Sequence, residues 1–286
     1  MSVAGRQIVD RVAFTLIELL VVISIMGLIA ALAVPALKNL GKANVQASAS
    51  RQLLDDIGRA RQFAISQHTT VYMVFVPTNF WFALAATTNQ FSPATTNLID
   101  KQLTGCNFIS YGKVGDQPGQ HAWHYLSDWQ SLPDGTFIAA AKFLPEYYLT
   151  PMPVPMWQQD YAGQIDNWQV PLNSRLQIYG FNTNTTFPFP TANSTPWVPL
   201  PFIAFDHTGK LISETADNVN FHHAYIPLAQ GTVGYGRDLN KQPTLTAVLP
   251  KDITENPPGN SSSISYNIID VDPLSGRAKL LVHHIP

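Results

Sequence analysis

One carboxylate stands inside a stretch otherwise built for hydrocarbon. Phe14 to Val34 reads FTLIELLVVISIMGLIAALAV, with no charge between Leu19 and Val34 and a single hydroxyl, Ser24. An ionised, unpaired carboxylate facing lipid costs about 2.5 to 3.5 kcal/mol. Glu18 therefore calls either for headgroups and water within reach or for a specific cation. The chemistry it offers is ion pairing, not turnover.

Other residue types invite catalytic readings that their spacing does not support. Eight histidines include His121-Ala122-Trp123-His124, His222-His223 and His283-His284. Adjacent residues on a strand point to opposite faces, so neither His-His pair chelates through both rings without a bulge. A zinc site needs three or four convergent ligands, and the chain has no HExxH helix and one cysteine, Cys106. Asp270-Val271-Asp272 has the alternation of a calcium site but lacks the rest of an acidic loop, which favours a solvated turn. No GxSxG, phosphate loop or dinucleotide fingerprint occurs. The expectation is a non-enzyme with no metal and no cofactor. Six tryptophans could line a sugar-binding surface, but core and loop anchoring is the favoured reading.

Charge excludes more. Charged residues make up 13% of the chain, well below the usual quarter, and the net charge is -2. Such a chain has no global field to attract nucleic acid. The lone Cys106 cannot form an internal disulfide, so the fold relies on its apolar core.

The element that positions Glu18 is a helix. At about 1.5 Å per residue, Phe14 to Val34 would measure about 31 Å, matching a bilayer core of about 30 Å. Beyond Pro35 the helical period persists in Leu37, Leu40, Leu53, Leu54, Ile57, Ala60 and Ala64. Arg51 with Asp55, and Asp55 with Arg59, form opposite-charge i,i+4 pairs. The period predicts a helix to about Ser66, with Pro35 removing one backbone hydrogen bond and kinking it. Phe14 to Ser66 would be about 80 Å long.

Ala13-Phe14-Thr15-Leu16-Ile17-Glu18-Leu19-Leu20-Val21-Val22 resembles the type IV prepilin signature, shared by pilins and by the pseudopilins of type II secretion systems. The resemblance implies cleavage by a prepilin peptidase between Ala13 and Phe14 and N-methylation of Phe14. It implies that Glu18 pairs with the free amino group of a neighbouring subunit, and it places the family's helix proline on Pro35. The family usually has glycine where this chain has Ala13. An ordinary signal peptide, cut after Ala31-Leu32-Ala33, is the second reading, and it leaves the ordered FTLIE run without a role. Arg6 and Arg11 in the leader favour a cytoplasmic N-terminus.

Arg51 to Ile65, RQLLDDIGRARQFAI, is similar to the segment that closes this helix in minor pseudopilins of the H type and the related FimT-like minor pilins. Three further stretches carry the same likeness. They are Leu132-Pro133-Asp134-Gly135, the Phe202 to Ile212 hairpin with Gly209 at its turn, and Asp272-Pro273-Leu274-Ser275-Gly276-Arg277. Val71–Val76 and Phe80–Ala86 read as a hairpin across Pro77-Thr78-Asn79. Thr87 to Thr136 reads mostly as loop, with short elements at Phe108–Tyr111 and Trp123–Leu126. Tyr147 to Phe189 reads as inserted loops, with one strand at Arg175–Phe181. Asn220–Leu228 is extended, and Ile264–Ile269 with Ala278–His283 forms a last hairpin.

Together these readings give an expected α+β, pilin-like fold, with a long N-terminal, partly transmembrane helix packed on a C-terminal antiparallel β-sheet domain. The expected organisation is a prepilin leader over 1–13, a helix over 14–66 with 14–34 transmembrane, and a β-rich head over 67–286 with an insertion at about 87–200. The expected role is a structural subunit, a minor pseudopilin of a type II secretion pseudopilus supporting protein export. It would be single-pass in the inner membrane, with its C-terminal domain periplasmic. Expected partners are the prepilin peptidase, other pseudopilin or pilin subunits and inner-membrane lipid, with no nucleic acid. The alternatives are a type IV pilus minor pilin used in adhesion or DNA uptake, and a membrane-anchored surface binding domain.

Overall fold

A carbon-rich stripe at three- and four-residue steps dictates where the longest element packs. Helix α1 (Leu16–Gln67) buries Ala49, Leu53, Ile57, Ala60 and Ala64 along one face, while Arg51, Asp55 and Arg59 stay exposed on others. His68 ends the helix in the left-handed region at φ 50, and Thr69 N donates to Ala64 O at 3.3 Å, closing the last turn. The computed structural model describes residues 16–78, 80, 97–116, 122–143, 180–195, 197–212, 223–234, 252–261 and 265–284, the side chains of 32–44, 252, 265, 266, 283 and 284 excepted.

Two compact units divide the chain, residues 1–44 and 45–286. Within the second, strands β1 (Val71–Phe75), β2 (Gly105–Tyr111), β3 (Trp123–Tyr125), β4 (Gln130–Ser131), β5 (Thr136–Ile138), β6 (Thr186–Pro188) and β7 (Trp197–Pro199) are followed by β8 (Phe202–Phe205), β9 (Leu211–Ile212), β10 (Ala224–Gly234), β11 (Asp252–Glu255), β12 (Ser265–Val271) and β13 (Ala278–His284). One sheet runs β3-β2-β1-β8-β9 with β4 also on β2, a second runs β11-β10-β12-β13 with β5 on β10, and β6 pairs with β7 alone. Every pairing is antiparallel.

Alternation along β1 sorts the core into two. Val71, Met73 and Phe75 join the α1 stripe, together with Phe108, Ile203 and Phe205 of the first sheet and Ile226, Leu228, Ile269 and Val271 of the second. Val74 faces the other way, into a cluster closed by Phe187 of β6 and Val198 of β7. Tyr72 lies on that side too, with ring centroids 5.6 Å from Trp123, 5.2 Å from Phe187 and 5.2 Å from Phe202. Each fully buried Phe, Leu or Ile contributes about 1.5 to 3 kcal/mol, so this body is held by its two apolar layers.

The expected fold class is overturned. Among the described residues no helix is long and apolar enough to cross a membrane, and the regular structure outside α1 is mostly antiparallel sheet. The pilin-like class with a partly transmembrane helix over 14–34 is therefore not the fold observed. The described residues are organised instead as antiparallel sheets around two apolar layers, to one of which α1 contributes its stripe from Ala49 to Ala64.

Other expectations shift as well. β1 does not form a hairpin with Phe80–Ala86, because β2 and β8 already occupy both of its edges. Phe80 instead packs edge-on against Phe189 at 5.4 Å, and 81–86 lie outside the described residues. Arg59 turns to Asp56, 3.9 Å away, instead of pairing with Asp55. The segment read mostly as loop contains β2, seven residues long, and the inserted stretch contains β6. Of Arg175–Phe181, residues 175–179 lie outside the described set and Phe181 is not in a strand. β10 extends to Gly234, well past Leu228.

Candidate functional site

The first turns of α1 form the most unusual surface of the molecule. Every described side chain from Leu16 to Ala31 is exposed. Eleven of them are large and apolar, from Leu16 at 83% exposure to Val22 at 42%, and they lie on all sides of the helix. Helices apolar all round are found buried, and contiguous apolar surface of this kind marks a place of interaction. Ser24 Oγ donates to Leu20 O at 2.8 Å, so its hydroxyl is satisfied within the helix and adds no polarity to the surface.

Glu18 sits in the first turn of α1. There the aligned peptide dipoles favour a negative charge by about 0.3 to 1 kcal/mol at an exposed site. Ala13 and Phe14 lie outside the described residues, and Pro35 falls within the bounds of α1.

At its other end α1 is clamped to the sheets by Arg61. Its Nε donates to Ser275 O at 2.8 Å and to Gly209 O at 3.2 Å, so one side chain ties together the β12–β13 and β8–β9 turns. Both turns are shaped by aspartates. Asp206 Oδ1 accepts from Thr208 N, Thr208 Oγ1 and Lys210 N, and Asp272 Oδ1 accepts from Ser275 N, Ser275 Oγ and Leu274 N. Burial works to raise the Asp206 carboxyl, but the bonds from Thr208 and Lys210 outweigh it and hold it below its usual range. The bonds from Ser275 do the same for Asp272. Gly276, at φ 61, touches Gly209 so closely that a Cβ would overlap the Gly209 carbonyl. The resemblance drew attention to both turns; the arginine joining them went unnoticed, because 148 and 214 residues separate it from its acceptors.

The histidines and acids are spent singly. His124 Nε2 lies 3.1 Å from Asp116 Oδ2, and His223 Nδ1 lies 2.6 Å from Asp270 Oδ1, whose other oxygen takes Lys279 Nζ at 3.3 Å. Asp270 is thus a buried ion-pair acceptor, while Asp272 shapes a turn. Among the described residues no group of three or more His, Cys, Asp or Glu could hold a metal ion. A groove of about 630 Å³ is lined by Asp100, Lys101, Thr104, Asp134, Thr136 and Thr232 among others, with neither histidine nor cysteine in its wall. Trp123 and Trp129 are half-buried in the aromatic layer, where Trp129 Nε1 donates to Pro190 O at 3.0 Å, while Trp197 is exposed.

No protein-family model, no curated protein and no solved structure matches this chain.

Proposed function

We propose that this chain is a structural subunit of an export filament: a prepilin-peptidase-processed minor pseudopilin of a type II secretion pseudopilus, cut between Ala13 and Phe14 and methylated on Phe14. The observation that carries the reading is the apolar surface of Leu16 to Ala31, exposed on every side. A surface of that kind is satisfied by neighbours all round it, as a packed filament of parallel subunits provides, and a compact ligand covers only one side. Glu18 then has a task. On assembly it meets the methylated amino group of the adjacent subunit's first residue, and the pair forms away from water, where charge pairing is strongest. The second unit buries its own apolar layers and so needs no such neighbours.

Two measurements test the reading. Intact mass and N-terminal sequencing of the native protein should give a chain that begins at methylated Phe14; a chain beginning after Ala33 removes the premise. Glu18→Ala should abolish incorporation into sheared or cross-linked filaments while leaving processing intact. Normal incorporation of that variant would defeat the assembly role.

A further inference from the structure

Asp56 is a carboxylate on the apolar side of α1. It is 2% exposed, set among Leu53, Ile57 and Ala60 on the stripe that faces the sheets. With the Gln130 amide oriented to satisfy both neighbours, its nitrogen donates to Asp56 Oδ1 at 3.2 Å and its oxygen accepts from Arg59 Nη1 at 3.1 Å. Arg59 itself stays 3.9 Å from Oδ1 and is half exposed. Asp56 Oδ2 is buried with no hydrogen-bond partner. One turn back, Gln52 Nε2 donates to Ser131 O at 2.9 Å, so Gln52, Asp56 and Arg59 together face β4. The titratable and charged groups around this seat are Asp55 and Arg59 on α1, the Cys106 thiol on β2 and Lys101, whose Nζ donates to Ser131 Oγ of β4 at 2.9 Å, while β4 also presents the neutral Gln130.

We propose that Asp56 is an acid-tightened latch: with its proton on, α1 seats fully against β2 and β4, and with the proton off a buried and incompletely satisfied charge loosens that seat. The geometry supplies the reason, since an ionised carboxylate needs donors at both oxygens and only Oδ1 has them. Burial raises the carboxyl above its usual range, against the pull of Arg59 and of the nearby Gln52 amide, whose nitrogen is engaged by Ser131 O, and Asp55 adds to the rise. Burial and the Asp56 charge likewise push the neighbouring Cys106 thiol up to about 12. A folded-state value raised above the unfolded one contributes stability that is fully present below the unfolded value and lost as pH rises through the folded one. The seat is therefore firmest in acid and loosens as pH rises through the raised value of the carboxyl. The inference stands on the second unit alone and does not depend on the assembly role.

The test uses the full chain in detergent micelles. Hydrogen exchange of the amides of residues 49–64, corrected for intrinsic rates, should show protection falling between pH 4.5 and pH 8. The fall should be about tenfold for each unit by which the fold raises the carboxyl. Asp56→Asn, a neutral shape-match, should flatten that dependence and protect at least as well as wild type at pH 8. Carbon-13 NMR of the unaltered protein should show the Asp56 carboxyl titrating above the ordinary aspartate range, which keeps the idea testable if the variant fails to fold. Equal protection at both pH values, an Asp56→Asn variant that keeps the wild-type dependence, or a carboxyl titrating in or below the ordinary range would each overturn the latch.

Discussion

The two ends of α1 use the same backbone for opposite purposes. From Leu16 to Ala31 apolar side chains point in every direction and all are exposed, whereas from Ala49 to Ala64 they keep to one stripe and are covered by the chain's own strands. A one-sided stripe is completed by a sheet, and its charged sides face water. An all-round apolar surface cannot be completed by a single layer and needs surroundings. The contrast teaches that periodicity, more than hydrophobicity, distinguishes helix meant for its own fold from helix meant for something else.

Truncation tests that contrast most strongly. Ile57→Ala should lower the stability of the folded body by about 2 to 5 kcal/mol, because it opens a cavity in a fully packed site. Leu20→Ala should leave the body within about 0.5 kcal/mol of wild type. Denaturant midpoints of the full chain in detergent measure both, and equal effects would break the comparison.

Next in size, Gly276→Ala forces a Cβ against the Gly209 carbonyl at a positive φ, with an expected cost of about 1 to 3 kcal/mol or more. Thermal melting reads it, and a neutral result would mean the two turns are free to part. Arg61→Ala removes two charge-assisted bonds to backbone carbonyls and should cost about 1.5 to 3 kcal/mol. Arg61→Lys should restore only part of it, since a point charge does not reproduce the planar donor. The smallest effect belongs to Asp206. Its carboxyl is held below its usual range, so its contribution is present above the unfolded value and lost as pH falls through the folded one. Asp206→Asn should flatten the acid limb of stability below about pH 4 and lower stability modestly at neutrality, where the ionised carboxylate contributes in full. An unchanged acid limb would show that the turn bonds do not discriminate the ionised form.

Local signals carried a good part of the body. The stripe from Leu53 to Ala64 and the β8–β9 and β12–β13 hairpins could be read because each is complete within a few turns or a few residues around a positive-φ glycine. The same reliance on nearness paired β1 with the next extended run, Phe80–Ala86, when its neighbours are β2 and β8. Strands such as β7 and β11, three and four residues long, offer too few alternations to register at all. At the candidate site, Glu18 stood out because a charge in an apolar run is conspicuous. Asp56 did not, because Asp55 beside it drew the obvious ion pairing. Yet Asp56 lies between Leu53 and Ile57 on the stripe, and that position was the available signal.

The sequence alone determined which side chains prefer to leave water and at what period, since transfer preference belongs to each residue and period to the backbone. It determined the sharp turns too, where glycine and aspartate act on atoms a few residues away. Only the tertiary structure decided which strands share an edge, that Arg61 reaches two turns at once, and that Asp56 loses its water, because each depends on surfaces brought together from distant parts of the chain.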